Sequence, residues 1–273
     1  MNICIIGDGL SSLTLAKNLI NKKINVHIYQ KKKVSKLLNS RTIGISKTNF
    51  EFLKKEILPY PQKKAWEIKK IEIFSEKLKD DKILNFENNN NLFYMVRNKE
   101  LYDALNNHLI KSKYLKKIKI KNDFFYQDLL KKNNYDLIIN CDSNNFLTNK
   151  YFFKRIKKDY HNFAYTTILK HKKLNNKTAI QIFTKYGPIA FLPISDFETS
   201  VVYSIDVRDK KFSSEDVLNL IKKYNPKFDI KTFSKLEYLK LKSSNLRNYH
   251  YKNILAFGDL LHKIHPLVGQ GFN

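Results

Sequence analysis

Six residues near the start constrain this chain more than any other feature. Gly7-Asp8-Gly9-Leu10-Ser11-Ser12 follows directly on the apolar run Asn2-Ile3-Cys4-Ile5-Ile6. Such a run, ended by glycine, reads as a buried parallel strand. Leu10, Leu13, Ala16, Leu19 and Ile20 then share one helical face, Asn21-Lys22-Lys23 turns the chain, and Val26, Ile28 and Tyr29 form a second strand. A glycine pair between strand and helix is the setting of a dinucleotide-binding turn. Gly7 permits the tight turn, Gly9 lets a pyrophosphate approach the backbone, and the amides from Leu10 and Ser11 onward face its charge. Ser12 takes the third position, where small size matters for helix–strand packing. About twenty residues on, where a carboxylate normally takes the ribose hydroxyls, the strand ends in Gln30. An amide can bind a hydroxyl without the strength of a charged acceptor; the alternative is that Gln30 is merely exposed.

The rest of the chain reads as a parallel α/β layer that the chain leaves and re-enters. Ser46 to Leu58 reads as a helix stopped before Pro59, residues 68–86 as a hairpin, and Asn98 as the cap of a helix reaching Lys111. Tyr135 to Asn140 is another short strand, ending at Cys141-Asp142. Alternation at Ala164–Leu169, Ala179–Phe183, Ile189–Ile194 and Ser200–Ile205 predicts antiparallel strands. A helix follows over Ser214 to Tyr224, capped by Ser213 or Ser214, and Ile254–Phe257 returns as a buried strand running into Gly258-Asp259.

Composition excludes several classes. The 273 residues carry 51 Lys+Arg against 25 Asp+Glu, a formal charge of +26. Only five of the basic residues are arginine (Arg41, Arg97, Arg155, Arg208, Arg247), whereas specific readers of nucleic acid favour arginine's planar fork. The lysines are spread along the chain among 30 asparagines. An AT-rich genome would produce that composition, and attraction to an anionic membrane surface is the other reading. Specific nucleic acid is not expected. Two cysteines, Cys4 and Cys141, exclude a disulfide framework or a four-thiolate zinc site. His262 and His265 are three apart but have no ligand set beside them, so no metal is expected. No apolar run approaches the ~18–20 residues of a membrane span, and Gly7, Asp8 and Gly9 interrupt the only N-terminal candidate for a signal segment. The chain reads as soluble, reduced and intracellular.

Three separated stretches carry a resemblance. Gly258-Asp259-Leu260-Leu261-His262-Lys263-Ile264-His265-Pro266-Leu267-Val268-Gly269-Gln270-Gly271 closes the chain, and Phe183-Thr184-Lys185-Tyr186-Gly187-Pro188-Ile189-Ala190-Phe191-Leu192-Pro193 lies in its middle. With the N-terminal glycine turn, these resemble the class A flavin monooxygenases of the para-hydroxybenzoate hydroxylase fold, most of all the ubiquinone-biosynthesis hydroxylase branch. The resemblance implies an α/β fold, a Rossmann-like FAD-binding parallel sheet with an interleaved, mostly antiparallel substrate sheet. It divides the chain into FAD-binding parts at 1–67, 93–155 and 251–273, a substrate-domain hairpin at 68–92 and a substrate β-sheet domain at 156–250.

Carried over to this chain, the resemblance gives Gly7, Gly9, Leu10, Ser11 and Ser12 the FAD pyrophosphate and leaves Gln30 in place of the ribose acid. Arg41 and Arg97 would serve the phosphate and ribityl region, and Gly258 and Asp259 the ribityl chain. Pro266, Gly269, Gln270 and Gly271 would pass close to the isoalloxazine ring, where a Cβ would collide with it. The implied reaction hydroxylates a phenol, polyprenylated in the ubiquinone branch: NAD(P)H reduces FAD, O2 adds as a flavin hydroperoxide, and oxygen passes to the ring, with no side chain acting as nucleophile. Phe183, Phe191, Tyr203 and His265 are candidates to line the substrate pocket, although the three aromatics read first as plain core residues. A lipid-soluble substrate implies a cytoplasmic enzyme attached peripherally to the inner membrane, in reach of other quinone-biosynthesis enzymes. Other FAD-dependent oxidoreductases of this fold, or a degenerate nucleotide-binding protein, are the competing readings.

The chain departs from the family in three places. Asp142 is kept as a cofactor-binding residue, but Ser143, Asn144, Asn145 and Phe146 replace the rest of a motif that docks the nicotinamide cofactor. Leu260-Leu261 replaces two alanines. The chain also stops at Asn273, inside a motif, where family members continue for roughly another hundred residues, a domain-scale segment, so it reads as C-terminally truncated.

Overall fold

The computed structural model describes residues 1–31, 40–78, 82–88, 90–120, 122, 124–132, 134–208 and 210–263. The first part of the chain runs β1 (Asn2–Ile6), α1 (Leu10–Asn21), β2 (Asn25–Lys31), β3 (Thr42–Ser46), α2 (Lys47–Phe52), β4 (Ala65–Ile68), β5 (Lys70–Ser75), β6 (Lys82–Glu87) and β7 (Phe93–Arg97). Next come α3 (Asn98–Leu109), β8 (Leu115–Ile120), α4 (Phe124–Lys132), β9 (Leu137–Asn140), α5 (Phe146–Tyr151) and β10 (Arg155–His171). The last part holds β11 (Thr178–Thr184), β12 (Gly187–Pro193), β13 (Glu198–Asp206), α6 (Ser214–Lys223), β14 (Ile230–Phe233), β15 (Glu237–Leu246), β16 (His250–Tyr251), β17 (Ile254–Ala256) and β18 (His262–Lys263).

The strands form three sheets. The first has the order β16-β17-β9-β1-β2-β8, and β17, β9, β1, β2 and β8 run parallel. Side chains alternate across β1, as a strand's pleat requires. Ile3 and Ile5 meet Leu13 of α1 and Leu101 and Leu105 of α3 on one face. Cys4 and Ile6 meet Tyr126 and Leu129 of α4 and Leu147 of α5 on the other. Both faces are therefore covered, which explains the unbroken apolar run of β1.

The second sheet is nine-stranded, ordered β18-β15-β10-β13-β12-β11-β5-β6, with β14 pairing to β10 off that path. Its pairings are antiparallel except β5 with β11. Val217 and Ile221 of α6 seal one face over Tyr165, Ile189, Phe191, Val201 and Tyr203. The small sheet β3-β7-β4 meets the opposite face, with Ile68 and Met95 packed on Ala179, Ala190 and Leu192. Thr42 donates to Ser200 Oγ at 2.8 Å, and Ser40 and Thr166 hydroxyls are 2.8 Å apart, tying these layers together.

Two helix readings need correction. Asn98 is the first residue of α3, not its cap; Arg97 is the cap position, with no capping side chain. The Asn98 amide instead donates to the Arg41 carbonyl at 3.1 Å, and its Oδ1 is buried without a partner. The helix after Ser46 is α-helical only to Phe52 and continues as a π turn over Leu53–Ile57. At α6 the open choice falls to Ser213, which forms a reciprocal capping box with Asp216.

Candidate nucleotide-binding crevice

The ends of β1, β9 and β17 bring the glycine turns together. Gly7 has φ +114° and donates its amide to Tyr29 of β2 at 2.9 Å. That φ favours glycine whatever surrounds it. Gly9 caps α1 in extended conformation; no side chain caps the helix, and no acidic residue lies in its first turn. A Cβ on Gly9 would meet nothing within 4 Å. From the far side of the crevice Gly258, at φ +63°, approaches so closely that a Cβ there would lie 3.0 Å from Ser11 Cβ. Ser12 is buried, and Cys141 amide donates to Ile6 at 2.9 Å. Gly7, Gly9, Leu10, Ser11, Ser12, Cys141, Gly258 and the exposed Asp259 thus belong to one mouth. Uncapped amides, the positive end of a helix dipole and open space before Gly9 suit a phosphate group.

Burial and charge perturb the groups around this mouth. Burial pushes the Cys141 thiol up to about 12, with Asp259 and Asp142 adding to the effect and a hydrogen bond to Ser12 opposing it. Asp8 is raised, mainly by burial, although Lys117 draws it down; its Oδ2 is buried without a hydrogen-bond partner. Lys117 is lowered by burial, with Asp8 opposing, and donates to Asn106.

The other candidates are placed differently. Gln30 is partly buried at the end of β2, opposite Lys119 in register. Next to it Lys31 reaches Asp142, Nζ to Oδ2 2.9 Å. Arg97 Nη2 is 2.5 Å from Glu198 Oε2, so it is committed to an ion pair with the nine-stranded sheet. Arg41 is exposed just before β3. Phe191 and Tyr203 are fully buried under α6, with Tyr203 Oη 2.8 Å from Thr184 Oγ1. Both sit in the core cluster beneath that helix, whereas Phe183 is 43% exposed at the end of β11. His265, Pro266, Gly269, Gln270 and Gly271 lie outside the described residues.

Gly187 serves the hairpin between β11 and β12. Its φ is +130°, and a Cβ would fall 2.1 Å from the Ser204 carbonyl oxygen. Sequence reasoning singled out Asp142 but missed the hydrogen bonds that fix the loop after β9. Asn140 Nδ2 donates to Thr148 Oγ1 at 2.8 Å, Asn145 Nδ2 to Asn140 Oδ1 at 2.8 Å, and Thr148 Oγ1 to the Asp142 carbonyl at 2.6 Å. Asn140 and Thr148 are fully buried. An asparagine three residues before a threonine at a helix start was the available signal. Among the described residues no group of His, Cys, Asp or Glu could hold a metal ion, and no helix is long and apolar enough to cross a membrane.

No family model matches the sequence. Solved structures do share its fold. The tetrameric form of 2-methyl-3-hydroxypyridine-5-carboxylic acid oxygenase superposes with a TM-score of 0.76 at 13% identity, over 99% of this chain and 78% of that one. The p-nitrophenol 4-monooxygenase PnpA from Pseudomonas putida DLL-E4 gives 0.76 at 11% identity, over 98% and 75%. CtdE, in complex with FAD and a substrate, gives 0.71 at 13%, over 99% and 77%. The parallel sheet with interleaved antiparallel sheets is the fold of these proteins.

Proposed function

We propose that the chain is an FAD-dependent monooxygenase that hydroxylates a small aromatic substrate. The observation that carries this reading is the uncapped start of α1 behind Gly9, with Gly258 closed against Ser11. It stands in a fold whose solved examples include a p-nitrophenol 4-monooxygenase and a protein in complex with FAD. The residues present fit the diphosphate end of FAD: the α1 amides would hold it, and the open space before Gly9 would admit it. When bound, FAD would supply electron transfer from NAD(P)H and activation of O2 toward an electron-rich ring. The protein's own part is to bind, orient and exclude water. FAD binding is assigned to 1–67, 93–155 and 251–273, and the substrate part to 68–92 and 156–250. As a finer reading, the substrate is a polyprenylated phenol of ubiquinone biosynthesis. The enzyme would then be cytoplasmic and peripheral on the inner membrane, its basic surface favouring anionic lipid.

A second reading is favoured by the self-satisfied loop from Asn140 to Thr148. It takes the place of the motif expected to dock the nicotinamide cofactor, which suits a flavoprotein without that donor. A visible spectrum and a thermal melt test the first step. Yellow protein that releases FAD on denaturation is the expected result; a colourless chain that melts cooperatively overturns both readings. Phenol-stimulated oxidation of NAD(P)H by the yellow protein then separates the hydroxylase from the second reading.

A further inference from the structure

A dinucleotide's ribose hydroxyls are usually taken by a carboxylate at the end of the second strand; here that position is the neutral Gln30. A carboxylate reaches toward β2 from the opposite flank instead. Asp142 stands two residues beyond β9, and its Oδ2 lies 2.9 Å from Nζ of Lys31, the last residue of β2. Lys31 also donates to the Asn144 carbonyl. Because β1 lies between β9 and β2, these contacts cross the end of β1 beside the glycine turn. A Cβ on Gly7 would sit 3.6 Å from the Asp142 amide.

The loop that carries this carboxylate is fixed. Asp142 Oδ1 accepts the Asn144 amide at 2.8 Å, its amide donates to Asn140 Oδ1 at 3.3 Å, and its carbonyl accepts from Thr148 Oγ1 at 2.6 Å. Each carboxylate oxygen has lone-pair capacity beyond these partners, and the side chain is 22% exposed, so a hydroxyl can reach it. Surface pairs of this kind add little to folding.

We infer that Asp142 is the ribose-binding carboxylate of this crevice and that Lys31 is its positioning residue. The ligand class is an adenine nucleotide with free ribose hydroxyls. The inference rests on the nucleotide reading of the crevice made above, and it moves the ribose role from Gln30 to the loop after β9.

Binding of ADP and of 2′,3′-dideoxyADP to the full chain tests it by titration calorimetry, with a melting temperature taken for each variant. The wild type is expected to prefer ADP by at least about tenfold, the scale of a hydrogen bond to a charged group. Asp142→Asn brings that ratio near one. Lys31→Met lowers it and Lys31→Arg keeps it, while Gln30→Glu placed in the Asp142→Asn protein restores it. An Asp142→Asn protein that keeps the tenfold preference overturns the assignment and leaves the nucleotide reading standing. A Lys31→Met protein with the wild-type ratio overturns the role of Lys31. A folded wild type that binds neither nucleotide overturns the inference and the nucleotide reading together.

Discussion

Two strand-to-helix turns leave the same edge of the parallel sheet and do opposite things. The turn from β1 to α1 uses Gly7 and Gly9, offers no capping side chain and faces open space. The turn from β9 to α5 is filled by its own polar groups: Asn145 Oδ1 accepts the Thr148 amide at 2.8 Å, and Asn140 and Thr148 are bonded beneath it. Every helix start has amides with no intrahelical partner. The sequence decides whether a side chain claims them, and only unclaimed amides are available to a ligand.

That contrast can be broken from either side. The largest expected effect on folding is at the filled turn. Thr148→Val keeps the shape but strips partners from the buried Asn140 amide and the Asp142 carbonyl, and should cost about 2–3 kcal/mol in denaturant unfolding. A loss within about 0.5 kcal/mol would mean that these bonds do not hold the loop. Gly7→Ala forces φ +114° on a residue with a Cβ and should cost about 1–2 kcal/mol in the same assay. A pH series probes the boundary between the turns at Cys141. Its thiol is pushed up to about 12 in the folded chain, while an unfolded thiol ionises near pH 8.5. Folding therefore retains a proton that the unfolded chain loses, so this contribution is fully present below about pH 8.5 and falls as pH rises toward 12. Cys141→Ser should flatten the decline between pH 8 and 10. The smallest effect on folding belongs to Gly9→Ala, within about 0.5 kcal/mol of wild type because nothing lies near the added methyl. The same variant should weaken ADP binding by at least about tenfold, about 1.4 kcal/mol. Undiminished binding would show that the open space is not where the diphosphate passes.

Local patterns carried much of this into the sequence. The β1–α1–β2 unit was legible because apolar runs, helical spacing and two glycines fall within thirty residues. The alternating segments of β10 to β13 were legible for the same reason. The small sheet was not, because its register joins Thr42 to Arg97 across a long separation. β15 was passed over although Leu239 and Leu241 alternate with the exposed Lys240 and Lys242. For Phe191 and Tyr203, alternation groups side chains by face without saying which face α6 will cover. Asn98 looked like a cap because the sequence does not show that the Arg41 carbonyl takes its amide. Lys31 had no local signal at all: its acceptor on Asn144 is 113 residues away.

Gly187 has a consequence at the level of the gene. On the reading that its lysine and asparagine content reflects base composition drifting toward A and T, glycine codons, which begin with two guanines, lie in the path of that drift. At residue 187 any side chain would start 2.1 Å from the Ser204 carbonyl oxygen. On that reading the hairpin, through its backbone, holds two guanines of the gene in place.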